Sequence, residues 1–162
     1  MAVKHDTRQE TEDERLDRQL EQLLQELRVA MPGVQVLFAF LLAVPFQQRF
    51  AQVTDFQQDV YFGTLLASAV ASALFIAPTA YHRVMFRGRD KPRLVEMSSH
   101  FALAGLAALA VAMTGAILLV TDFIFDGPIV ATTCALSAAM FVGMWFVLGT
   151  IRRLSDERSR DE

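Results

Sequence analysis

Isolated polar side chains recur at helical spacing inside otherwise apolar stretches of this sequence. Thr64, Ser68 and Ser72 are four residues apart, so they share one face of a helix. Gln35 and Arg49 lie on a row with a period of seven residues, which is nearly two helical turns. Such amide and hydroxyl groups can line a narrow polar path for an ion, or they can bond to carbonyls of their own or a neighbouring helix. The sequence leaves both interpretations open.

The third apolar stretch adds Thr114 in its interior and Asp122 at its end. Asp122 lies about 30 Å along a helix from Phe101, so we expect it at a membrane surface, where its carboxylate could be an outer cation site. No Asp, Glu, Lys or Arg lies near the middle of an apolar stretch, where a charge is costly and usually functional. This pattern argues against a proton carrier with a buried carboxylate.

Other kinds of reaction chemistry have no matching motif in the sequence. It contains no glycine-rich phosphate loop, no nucleophile paired with a base, and one cysteine, Cys134. His82 and His100 bracket the central charged segment without a third metal ligand nearby, and we interpret them as interfacial residues. The sequence therefore predicts a protein that is not an enzyme and has no cofactor and no metal site.

The central segment "YHRVMFRGRDKPR" is a candidate site for anionic lipid headgroups. Such groups are attracted by about 1 kcal/mol per basic residue near the membrane surface. The candidate residues share a positive charge and are Arg83, Arg87, Arg89, Lys91 and Arg93. We do not expect nucleic acid as a partner, because membrane topology already explains these charges.

Four apolar stretches separate the charged segments and predict the fold. They cover about residues 29–50, 60–81, 100–121 and 128–151. Because a helix of about 20 apolar residues crosses the hydrocarbon core, each stretch can span a bilayer. Small residues at every fourth position allow close helix packing or an oligomer. The sequence predicts an all-α membrane protein in which four transmembrane helices, within 29–151, form a compact bundle.

The segment before the first apolar stretch has leucines at helical spacing. We predict a disordered tail over residues 1–11 and a cytoplasmic amphipathic helix over 12–28, with Pro32 and Gly33 separating that helix from the first crossing. Its mainly acidic polar face is poorly suited to anionic lipid. Packing on the protein's own basic segment, self-association and binding of a protein partner all remain open.

Basic residues predict the orientation in the membrane. Fourteen of the fifteen Lys and Arg residues lie before the first crossing, in the central segment or in the charged tail over 152–162. With four crossings these three segments fall on one side, which the positive-inside rule makes cytoplasmic. Arg49 is the remaining base, on an outer turn with Asp55 and Asp59. An ion pair and an interfacial arginine that reaches water are both compatible with this position.

The runs "LLQELRVAMPGVQVLFAFLLAVPFQQRF" and "IAPTAYHRVMF" resemble a family of small bacterial membrane proteins classed as a domain of unknown function. The similarity extends over roughly residues 14 to 153. Members are sometimes labelled sodium:proton antiporters. The resemblance implies a bacterial plasma membrane, and it supplies no catalytic residues.

These observations favour a multi-pass, non-enzymatic accessory or structural membrane protein. Its expected partners are the lipid bilayer, a second copy of the chain, and a protein that docks on residues 12–28. The alternative is a small oligomeric cation/proton transporter of the sodium:proton antiporter kind. The residues it would use share polarity within or beside the apolar stretches and are Gln35, Arg49, Ser68, Ser72, Thr114 and Asp122.

Overall fold

A computed structural model describes residues 11–85 and 91–147, and these residues are mostly helical with no strand among them. Helix α1 is Glu12–Ala43, α2 is Asp55–Met85, α3 is Lys91–Ile124 and α4 is Pro128–Val142. Two 3-10 turns, Val44–Phe46 and Gln48–Gln52, connect α1 to α2, and α4 continues into a single π turn over Gly143–Val147.

Both the interior and the exterior of this bundle are apolar, unlike a water-soluble protein, whose exterior is largely polar. Helices α1, α2 and α3, and α4 together with its π turn, are long and apolar enough to cross a membrane, which confirms the prediction of four apolar helices. Large apolar side chains such as Phe40, Phe46 and Leu136 are exposed on the outside of the bundle. The fully buried positions are few and include Phe75 and Val34. An apolar exterior of this extent indicates a membrane location.

Helix α1 is continuous, and this corrects the expectation that Pro32 and Gly33 separate two helices. It begins with a capping box, in which the Thr11 side chain accepts a hydrogen bond from the backbone of Glu14 and the Glu14 carboxylate accepts one from Thr11. Proline removes one helical hydrogen bond but does not have to end a helix. Leu27 and Val34, on either side of Pro32, are both buried in the same apolar cluster. That shared packing keeps the two halves of α1 in line.

The helices also begin and end at other residues than the hydropathy pattern suggests. Helix α1 ends at Ala43 because Pro45 interrupts the helical hydrogen bonds, and the backbone continues as 3-10 turns. Helices α2 and α3 are 31 and 34 residues long and extend beyond the apolar stretches that predicted them. Charged residues do not end a helix that still has neighbours to pack against.

The four helices run alternately up and down. Helices α2 and α3 form the most extensive pair, α1 packs against both, and α4 packs along α3. The central cluster joins α1, α2 and α3 through Leu27, Val34, Ala71, Phe75 and Leu109, and Trp145 from the π turn packs against it. We call the end that holds the α1–α2 connection, residues 44–54, the turn end. The opposite end, which holds Glu12, Met85 and Lys91, is the loop end.

Two glycines let α2 and α3 approach closely. A Cβ atom added to Gly105 would lie 2.5 Å from a ring carbon of Phe75. A Cβ atom on Gly115 would collide with the Thr64 hydroxyl. Close backbone approach of this kind drives helix association in lipid, where the hydrophobic effect does not. It also sets the antiparallel register that brings the polar residues of the turn end together.

Candidate functional site

The Gln57 side chain links α2 to α3 at the turn end. Its amide oxygen accepts a hydrogen bond from the backbone of Thr54 at 3.1 Å, and the Thr54 hydroxyl accepts one from the backbone of Gln57 at 3.2 Å. This reciprocal cap starts α2. The Gln57 amide nitrogen donates to the half-buried carboxylate of Asp122 at 2.9 Å. One amide therefore caps its own helix and binds a carboxylate on another.

Tyr61, one turn further along α2, links that helix to α1. Its hydroxyl donates to the backbone oxygen of Leu41 at 2.9 Å, and this contact is buried. The helical donor for Leu41 would be residue 45, which is proline and has no N–H group. The Leu41 carbonyl instead accepts hydrogen bonds from the Val44 N–H group and the Tyr61 hydroxyl. The Tyr61 ring also contacts Phe50 edge to face, with 5.2 Å between the ring centroids.

Arg49 lies beside these residues, on the second 3-10 turn. Its guanidinium carbon is 5.5 Å from the centroid of the Phe123 ring, which is a cation–π arrangement. Within residues 11–85 and 91–147, the structure gives Arg49 no hydrogen bond to a carboxylate. The contact with an aromatic ring replaces the ion pair that was one of the two interpretations.

A cavity of about 410 Å³ opens between α1, the 3-10 turns, α2 and α3 at the turn end. This volume falls within the range of roughly 300–1,000 Å³ that is typical of small-molecule sites. Its lining is almost entirely apolar, although Arg49, Gln47 and Gln57 are among the residues that border it. The apolar lining includes Leu37, Phe40, Leu41, Val44, Phe50, Tyr61, Ala116, Val120, Phe123 and Ile124.

The predicted polar residues do not all come together. Ser68 is buried between the helices and its hydroxyl donates to the Leu65 backbone, while the Ser72 hydroxyl donates to the Ser68 backbone. Thr114 is partly buried on α3. Gln35 is exposed on α1, beside the buried Val34, so it does not share an interior path with Ser68 in one protomer. Arg49 and Asp122 are brought to the same end of the bundle.

Sequence reasoning missed Gln57, Tyr61 and Phe123. Gln57 belongs to the second of two Phe-Gln-Gln copies, and Tyr61 follows four residues later on the same helical face. The sequence alone shows this spacing of Gln57 and Tyr61. The partners Asp122 and Leu41 lie far away in sequence, and no local pattern identifies them.

The loop end is described in part. Arg83 and Arg93 are exposed, as a headgroup contact requires. Arg87, Arg89 and the side chain of Lys91 lie outside the described residues, as do residues 1–10 of the predicted tail and the whole charged tail over 152–162. His100 is exposed, with its Nδ1 atom 2.8 Å from the Glu96 backbone oxygen on the same helix. No group of three or more His, Cys, Asp or Glu residues that could hold a metal ion occurs in the described part of the chain.

Comparisons with known proteins identify one family model that matches this chain. No curated protein matches the chain, and no solved structure matches it. Residues 9–149 match a family of unknown function, a span that includes all four helices and the residues that line the cavity. The chain therefore belongs to this family of unknown function (DUF6328).

Proposed function

We propose that this chain is a non-enzymatic accessory or structural component of a bacterial plasma membrane. The observation that best supports this role is how its helices use their polar groups. The hydroxyls of Thr64, Ser68 and Ser72 donate to carbonyls of α2 itself, at distances of 2.7 to 3.0 Å. Thr64 also fills the space above Gly115 on α3. Bonds of this kind satisfy the hydroxyl protons within α2, which supports a packing role for these residues.

The orientation that we propose puts the loop end in the cytoplasm. The exposed bases Arg15, Arg28, Arg83 and Arg93 belong to the loop-end half of the structure, whereas Arg49 belongs to the turn end. Lysine and arginine favour the cytoplasmic side of a membrane. Both chain termini and the α2–α3 connection then lie in the cytoplasm.

Single cysteines test this orientation. Cys134 is the only cysteine, so Cys134→Ser gives a background without thiols. Gln48 at the turn end and Gln22 near the loop end are both exposed. We expect a membrane-impermeant maleimide to label Gln48→Cys on intact cells, and to label Gln22→Cys only after lysis. The reverse pattern would contradict the orientation.

A protein partner in the cytoplasm is the second part of this proposal. Leu20 and Leu27 are buried within the protomer and the other leucines of residues 12–28 are partly buried, so most of this leucine face is already covered. The surface left for a partner is the polar face, where Glu21, Gln25 and Glu26 are exposed. Its acidic character favours a partner with a basic patch, because complementary charge guides association.

Cation/proton exchange is the alternative, and Asp122 is its strongest residue because the carboxylate is half buried at the turn end. Purified protein in liposomes with a pH-sensitive dye inside tests it. We expect no pH change when sodium or potassium is added outside. A cation-dependent change that is lost in Asp122→Asn, but kept in the exposed Asp59→Asn control, would overturn the structural role in favour of transport.

A further inference from the structure

We propose that the cavity at the turn end binds one acyl chain of an anionic phospholipid, with the phosphate held by Arg49. This goes beyond a structural role, since it assigns a ligand class to a site. The argument depends on the cavity's lining, its fixed walls, the surface onto which it opens and the charge at its edge.

The lining selects an apolar ligand. The side chains that define the cavity come from α1, α2, α3 and the 3-10 turns, and they are overwhelmingly aliphatic and aromatic. An apolar cavity of about 410 Å³ gains little from a polar solute and most from a hydrocarbon chain.

Cross-helix contacts hold the cavity walls in place. The Tyr61 hydroxyl joins α2 to α1, and the Gln57 amide joins α2 to α3, each at 2.9 Å. Both residues also line the cavity. A site that is formed before the ligand arrives costs less ordering on binding.

The rim of the cavity indicates that the ligand comes from the bilayer. Phe40, Val120 and Ile124 line the cavity, and 70%, 60% and 63% of their surfaces are exposed. In a membrane this apolar rim is in contact with lipid. A chain can therefore enter sideways from the bilayer without passing through water.

Arg49 gives this apolar site a cationic end, which suits an anionic headgroup. Among the described residues that line the cavity, Arg49 is the one with a charged side chain. The guanidinium carbon lies over the Phe123 ring, 5.5 Å from its centroid, and a guanidinium carries five N–H donors that can bind a phosphate. Asp122, at the same end of the bundle, accepts a hydrogen bond from Gln57. A guanidinium binds a phosphate group through two parallel hydrogen bonds. A zwitterionic lipid also has a phosphate, but the positive charge of its own headgroup offsets the negative charge that attracts the guanidinium.

Photo-crosslinking localises the lipid. Delipidated protein in detergent would receive phosphatidylglycerol with a photoactivatable acyl chain, and mass spectrometry would map the modified residues. We expect crosslinks at the α1 and α3 residues that line the cavity, about tenfold more than with the matching phosphatidylcholine. Arg49→Gln should remove that preference, and Arg83→Gln at the loop end should leave these crosslinks unchanged.

Further arms make each outcome decisive. Ala116→Phe fills the cavity and should abolish the crosslinks, provided that the variant has the melting temperature of the wild type. If Ala116→Phe does not fold, Arg49→Gln still tests the proposal, because Arg49 is exposed and its replacement should not affect folding. Equal labelling by phosphatidylcholine would overturn the role of Arg49. Displacement by equimolar oleate would overturn the choice of a phospholipid. Folded wild-type protein without crosslinks at the cavity would overturn the site itself.

Discussion

The α2–α3 interface and the outer face of α4 contain the same kind of small residues, but they are used differently. Gly105 and Gly115 are directly opposed by Phe75 and Thr64 of the neighbouring helix. On α4, by contrast, Ala131, Ala135 and Ala139 recur at every fourth position and are exposed. A small residue produces close packing where a larger side chain opposes it. The spacing alone does not say which stripe is covered.

Gly105→Leu should have the largest effect on stability, because it disrupts the close packing of α2 on α3. The new side chain would overlap the buried Phe75 ring, which cannot move away in a packed interface. We expect a loss of about 3 kcal/mol in the free energy of unfolding, measured by denaturation in detergent micelles with Trp145 fluorescence as the signal.

Ala135→Leu is the matched change on α4, and we expect it to alter stability by less than about 0.5 kcal/mol. A loss as large as that of Gly105→Leu would show that another molecule covers the face of α4. Similar stability of both variants and the wild type would contradict the close packing of α2 and α3.

Gln57→Glu tests whether the turn end of the same interface depends on a specific donor. A carboxylate keeps the oxygen that caps α2 but loses the N–H group that binds Asp122, and it adds a like charge. We expect a loss of about 1–2 kcal/mol that shrinks when the medium is acidified, because a protonated carboxyl is neutral and can donate. The exposed neighbour in Gln58→Glu is the control and should change little. Equal effects of the two changes would mean that the Asp122 contact contributes nothing.

Ser68→Ala should have the smallest effect. Its hydroxyl donates to the Leu65 backbone of its own helix, and such bonds in membranes contribute below about 1 kcal/mol. We expect an unfolding free energy within about 0.5 kcal/mol of the wild type and unchanged behaviour in the liposome assay. A marked change in ion flux with unchanged stability would instead make Ser68 part of a path.

The parts of this fold that were predictable are those that depend on composition alone. Runs of apolar residues identified the four helices, because hydrocarbon thickness fixes the length that is needed. The continuity of α1 through Pro32 was not predictable, since it depends on Leu27 and Val34 meeting the same cluster. The contact between Gln57 and Asp122 depends on the register of α2 against α3. That register is a property of the packed pair and is not contained in either segment.

The unbroken course of α1 has a mechanical consequence. Leu37, Phe40 and Leu41 of this helix form one wall of the turn-end cavity, and Leu27 and Val34 hold its middle. Leu20 and Leu41 are buried as well, so the packing holds α1 along its length as one body. Leu16 and Phe40 are about 36 Å apart along the axis, so a tilt of about 5° shifts one relative to the other by about 3 Å. A tilt of α1 that moved the cavity wall would therefore also displace the start of this helix at the opposite end of the bundle.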